Sequence, residues 1–131
     1  MPEIRICEGL PQVAMRLLYR DRRLDVENVL LDTGSASTIF SANRLLDIDL
    51  RCDPTDILNR IRGVGGTEFV FSKRIDRLSL GDLTVAEFEI EVGAMDYGFN
   101  FELDGILGMD FLEQVGAVID LRRRLVMGSA G

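Results

Sequence analysis

No histidine and no tryptophan occur in this chain of 131 residues, and cysteine and proline are scarce, at two and three copies. Without histidine, Ser-His-Asp and Cys-His nucleophilic centres are excluded, as are most zinc sites, which lean on imidazole. Cys7 and Cys52 stand too far apart for a CxxC metal or redox motif. They could pair, but a disulfide framework usually brings more cysteines to a smaller chain. Two free thiols in a reducing cytoplasm are therefore expected. No apolar run reaches the roughly 18 residues of a membrane span, and the N-terminal MPEIRICEGLPQ lacks the apolar stretch of a signal peptide. A cytoplasmic location without membrane contact is the expectation. Positive charge is in the minority, 15 Lys and Arg against 22 Asp and Glu, for a net charge of −7. That balance argues against nucleic acid, whose phosphates reward a basic face. The basic clusters Arg16 to Arg23 and Arg122-Arg123-Arg124 sit among acids or hydrophobics and read as solvated surface.

What is present is ordinary for a globular protein: 47% hydrophobic and 28% charged residues, with 13 glycines. The length suits one domain over residues 1–131, large enough to bury roughly two-thirds of its unfolded surface. Apolar residues recur with a period close to two, the pattern of half-buried strands. Strands are predicted at Ile4–Ile6, Val13–Tyr19, Val26–Leu31 and Thr38–Phe40. Ser41 then offers an N-cap for a short helix through Leu46. Ile57–Arg62 and Thr67–Phe71 flank the glycine-rich tip Gly63-Val64-Gly65-Gly66, a hairpin signature. Ile75–Leu80 and Leu83–Val92 flank the turn Gly81-Asp82. Tyr97, Phe99 and Phe101 alternate along another extended piece, more often a strand's apolar face than a pocket. A short helix is predicted at Met109–Gln114, and Val118–Leu121 and Leu125–Met127 form a last hairpin. The sum is a mainly-β domain of short, evenly spaced elements with one or two short helices, as in barrels and sandwiches.

The chemistry concentrates at Leu30-Leu31-Asp32-Thr33-Gly34-Ser35, where an apolar strand runs into a carboxylate. Read alone, an Asp followed by Gly is the pattern of an Asx turn or a helix cap. It does not stand alone. The glycine-tipped hairpin follows it, and after that come Ile106-Leu107-Gly108 and a short helix. These features, in this order over about residues 10 to 127, resemble the retropepsin-like (retroviral-type) aspartic proteases. The tail, Leu107-Gly108-Met109-Asp110-Phe111-Leu112 followed by Val118-Ile119-Asp120-Leu121, is similar to cellular and bacterial members. The protease domain of the DNA-damage-inducible ubiquitin-shuttle proteins is nearest in pattern. Viral members often carry Arg or Asn after the second-motif glycine. Asp110 departs from that, and by itself reads as a first-turn helix acid.

The resemblance implies an acid-protease barrel with one flap hairpin and one short C-terminal helix, working as a symmetric homodimer on peptide or unfolded protein, without metal or cofactor. Two carboxylates sharing one proton can activate water and polarise a carbonyl. The chain holds one Asp-Thr-Gly, so Asp32 supplies one carboxylate and a twofold-related copy supplies the other. By the same resemblance Thr33 bonds across the dimer and Gly34 lets its amide approach Asp32. The Ser35 hydroxyl donates to the outer oxygen of Asp32. Gly63, Val64, Gly65 and Gly66 form the flap, and Ile106, Leu107 and Gly108 the loop crossing beside the catalytic one. Leu103 and Asp104 fall where relatives have part of a pocket wall. The alternative is a protease-like dimerisation or peptide-binding module with little or no turnover.

Overall fold

Alternation of apolar and polar residues generates the architecture directly. The computed structural model describes residues 2–63, 66–95 and 102–129. The strands are β1 (Arg5–Cys7), β2 (Leu10–Tyr19), β3 (Arg22–Leu31), β4 (Ile39–Ser41), β5 (Leu58–Gly63), β6 (Gly66–Leu80), β7 (Leu83–Gly93), β8 (Gly105–Leu107), β9 (Ala117–Asp120) and β10 (Leu125–Gly128). Two short helices, α1 (Ala42–Leu45) and α2 (Met109–Gln114), complete the described elements, with a 3-10 turn at Leu46–Ile48. Among the described residues, no helix is long and apolar enough to cross a membrane.

Eight strands form one sheet in the order β1-β2-β3-β8-β4-β7-β6-β5. A further pairing of β2 with β6 closes the six strands β2, β3, β8, β4, β7 and β6 into a barrel, which removes most exposed sheet edges. Along β2, Val13, Met15, Leu17 and Tyr19 turn inward, and along β7 Phe88, Ile90 and Val92 do the same. Leu24, Val26 and Val29 of β3 and Ile75, Leu78 and Leu80 of β6 fill the space between them. The rings of Phe88 and Phe111 meet edge to face at 5.8 Å and seat α2 on the barrel.

The two hairpins expected around glycine are both present. β5 and β6 pair in continuous register from Leu58↔Phe71 to Gly63↔Gly66, and β6 and β7 pair up to Leu80↔Leu83. Gly81 turns the second hairpin at φ +57°, a conformation that a side chain would strain. Residues 67–71 and 75–80, read from sequence as separate strands, belong to one unbroken 15-residue strand. Its partners change along its length, from β5 to β7 and β2, so no turn is needed between them. Ser41 does precede α1, but its side chain makes no capping bond: it is the buried last residue of β4. Val64, Gly65, Tyr97, Phe99 and Phe101 lie outside the described residues.

Candidate active site

β8 is only three residues long, and the site is built around its end. It lies parallel to β3, with Leu31 opposite Leu107, and antiparallel to β4, with Ile39 opposite Ile106. The chain therefore leaves β3, passes around the tip of β8 as residues 32–38, and returns along its other side as β4. Asp32 is the first residue of that loop, and its amide donates to the Leu107 carbonyl at 3.0 Å. Sequence order alone keeps the two motifs far apart; this pairing brings Asp32 against Ile106-Leu107-Gly108.

Gly108 is where the loop closes on β8. A Cβ there would lie 2.3 Å from the Ser37 carbonyl oxygen and 2.8 Å from that of Ser35. Only glycine fits between two backbone carbonyls so placed. The Met109 amide donates to Ser35 O at 2.7 Å, tying the start of α2 to the loop. Within the loop, the Gly34 amide donates to Asp32 Oδ1 at 2.9 Å, as expected for a glycine that lets backbone approach a carboxylate. A Cβ on Gly34 would sit 3.1 Å from the same oxygen. Asp32 itself is half-buried, and Thr33 is exposed.

The Ser35 hydroxyl does not reach Asp32. It donates to Ser37 O at 2.7 Å, while the Ser35 amide donates to Asp32 O at 3.1 Å. The loop's own turn satisfies the hydroxyl locally, so it braces the far side of the loop rather than the carboxylate. Asp104 also differs from expectation. At 1% exposure it is turned into the chain, not along a pocket wall. Its carboxylate accepts from the Asn28 amide at 3.2 Å and from Arg44 Nη1 at 3.2 Å. A buried charge needs such partners, and Arg44 on α1 supplies the counter-charge. Leu103, next to it, packs with Ile39, Val70 and Met95 in a small apolar cluster beside Leu30 and Ile106.

A polar clamp that sequence reading did not anticipate holds the loop's second half. Thr38, fully buried, donates through Oγ1 to Asp110 Oδ1 at 2.6 Å, and its amide donates to Oδ2 at 3.1 Å. The same hydroxyl accepts from the Gly108 amide at 3.0 Å. Asp110 Oδ1 also accepts from the Phe111 amide at 2.8 Å. Asp110 is thus a first-turn acid, as its position suggested, but it spends its second oxygen on a residue 72 positions away. The local signal was legible and the distant one was not: Thr38 reads only as a β-branched strand residue.

Among the described residues no group of three or more His, Cys, Asp or Glu is placed to hold a metal ion. Cys7 and Cys52 are free thiols.

A carboxylate on a loop threaded around a glycine-ended strand, inside a six-stranded barrel, defines a class that comparison with known proteins identifies. The sequence model of the aspartyl protease family matches residues 21–111, which include both the Asp32 loop and the Gly108 crossing. The chain belongs to this aspartyl protease family, and its fold is retropepsin-like. A retropepsin-like aspartic protease from Rickettsia conorii superposes with a TM-score of 0.67 at 15% identity, covering 97% of both chains. The EIAV protease, solved with the inhibitor HBY-793, gives a TM-score of 0.60 at 24% identity over 89% of this chain and 98% of its own. At such identities the likeness is one of fold. No curated protein matches the sequence.

Proposed function

We propose that the chain is an aspartic endopeptidase that cleaves extended polypeptides as a symmetric homodimer, with Asp32 of each copy at the twofold axis. One observation carries this reading. The Asp32 loop is pinned at both ends by hydrogen bonds to Leu107 and Gly108, and it carries a carboxylate with no ion pair to a cation of its own chain among the described residues. A fixed carboxylate without a counter-charge suits a partner that shares a proton with it.

In such a pair the two carboxyls cannot both ionise side by side, so they titrate as a unit. The charged one takes a proton from water, and the resulting hydroxide oxygen attacks the scissile carbonyl carbon. The neutral one donates its proton to the carbonyl oxygen as that oxygen gains charge. Collapse of the tetrahedral intermediate breaks the C–N bond: the proton taken from water passes to the leaving amine, and a hydroxyl of the intermediate returns its proton to the other carboxylate as the carbonyl reforms. The Gly34 amide, donating to Asp32 Oδ1, orients that carboxylate before substrate arrives. Thr33, exposed on the loop, bonds to the partner loop in this reading. The β5–β6 hairpin, ending at Gly63 and Gly66, serves as the flap, and substrate adds to it as a strand.

The test is cleavage of a diverse library of unstructured peptides by the purified chain, with sedimentation to establish the dimer. Asp32→Asn is expected to fold and dimerise normally and to lose cleavage, by about three orders of magnitude or more. Equal cleavage by that variant overturns the assignment. An intact dimer that never cleaves favours a peptide-binding module instead.

A further inference from the structure

The outer face of the barrel carries a hollow that proteolysis does not use. It lies over β2, β3, β6 and β7, holds about 270 Å³, and is lined by Arg16, Leu18, Arg23, Arg77, Ser79 and Thr84. Strand register brings these distant residues together. Thr84, Ser79, Arg16 and Asp25 stand opposite one another across the four strands, and Arg77, Leu18 and Arg23 form the next row. Residues directly opposite share a face of the sheet, with side chains about 5 Å apart. Half-buried Leu18 is therefore the floor, with Arg77 on one side, Arg23 on the other and Arg16 two residues along its own strand. Arginine stems cover such an apolar floor while their guanidinium groups stay in water.

Charge in the hollow does not balance. Asp25 is one carboxylate serving two arginines, Arg16 at 2.8 Å and Arg23 at 3.9 Å. Arg77 makes no ion pair among the described residues. Opposite it on β7 stands Ala86, and its sequence neighbour Asp76 accepts from the Arg20 amide at 2.9 Å. Three cations against one anion leave an excess of two positive charges, in a chain whose net charge is −7. Like charges so close repel one another. Ser79 and Thr84 add neutral donors. Their hydroxyl oxygens lie 3.0 Å apart, so one donates to the other and the second keeps a proton to give elsewhere.

We propose that this hollow binds a small phosphate-bearing molecule, its dianion held by Arg16, Arg23 and Arg77. Guanidinium forks match phosphate oxygens two at a time, and a dianion offsets the excess charge. A small ion is screened from charges more than about 10 Å away. A membrane surface or a nucleic acid spans them and meets the acidic remainder of the chain. The site is independent of the catalytic one, since Arg23 lies near the start of β3 and Asp32 follows its end. Binding there can be measured whether or not the chain cleaves peptide.

The test is calorimetric titration of the full chain with inorganic phosphate and with glycerol 3-phosphate, at fixed ionic strength and with sodium chloride as reference. NMR of the arginine Nε–H signals reports the contacts. Saturable binding of both phosphates is expected, moving the signals of Arg16, Arg23 and Arg77, with no saturation by chloride. Arg77→Gln, which breaks no ion pair, should weaken binding about tenfold or more. Arg23→Gln serves the same comparison if Arg77→Gln folds poorly. Asp25→Asn removes the competing carboxylate and should tighten binding. Arg122→Gln, in the other basic cluster, should leave it unchanged. Phosphate that binds no better than chloride overturns the proposal, as does equal weakening by Arg77→Gln and Arg122→Gln, or weaker binding in Asp25→Asn. Binding confined to vesicles of phosphatidic acid, with neither soluble phosphate bound, overturns it in favour of a lipid surface.

Discussion

Strand β3 meets charged groups at both ends and treats them in opposite ways. Near its start, Asp25 pairs with Arg16 at 2.8 Å and more loosely with Arg23 at 3.9 Å, all with side chains more than half exposed. Past its other end, the fully buried Thr38 bonds to Asp110, and alongside the second half of the strand Asp104 sits against Arg44 with 2% of its side chain exposed. Water competes for the first set of charges and cannot reach most of the second. The first end therefore tolerates change, while the second fixes atoms. A loop that must present one carboxylate in one orientation is held by the kind of bond that is costly to break.

That contrast can be broken most severely at Gly108. Glycine→alanine there forces a Cβ against two backbone carbonyls that have no rotamer to escape into. Gly108→Ala is expected to cost more than about 3 kcal/mol in urea unfolding and to abolish cleavage. If it is near-neutral, the loop is not wrapped tightly on β8 and the description of the site is wrong.

Next comes the clamp. Thr38→Val keeps the shape and removes the hydroxyl, leaving the Gly108 amide without its acceptor and Asp110 short of one donor. A loss of about 2–3 kcal/mol is expected, the range for orphaned buried polar groups. Cleavage should fall through kcat more than through KM, because the loop that aims Asp32 is loosened. A change below half of that, with kcat intact, would show that the loop holds itself without Asp110.

The smallest effect belongs to the exposed end. Chiefly the hydrogen bond from Arg16 holds the Asp25 carboxyl below its ordinary range; burial opposes it, and the charges of Arg16 and Arg23 add to the lowering. A lowered folded-state value means that its stabilisation is present above the unfolded value and disappears as pH falls through the folded one. Asp25→Asn should cost less than about 1 kcal/mol near neutral pH, as exposed pairs do. The difference from the parent should vanish in acid and shrink with added salt. A cost as large as that of Thr38→Val would erase the distinction between the two ends.

Much of this molecule was readable in one dimension because its signals are local. Strand alternation in β2 and β7, the turn at Gly81-Asp82, and the sequence Asp32-Thr33-Gly34 each depend on neighbours within a few residues. The family resemblance rested on the same kind of signal and was confirmed by the family match over residues 21–111. Ser35, Asp104 and Thr38 were misread or passed over for one shared reason. Each residue type was compatible with several partners, and the choice among them is made by the packing of segments far apart in sequence. Ser35 turned to its own loop, Asp104 turned to Arg44, and Thr38 took a helix acid 72 residues away.

The sequence by itself determined the kind of elements, the apolar face of each strand and the single carboxylate set at the end of β3. Periodicity and glycine placement act through backbone sterics and burial, which need no knowledge of the rest of the chain. Only the tertiary structure decided what holds that carboxylate in place. Threading residues 32–38 around β8 is a matter of strand order, and strand order is set by how the closed barrel buries its faces. Hydrogen bonds then go to whichever donors that closure delivers, which is why Asp110 became the loop's anchor.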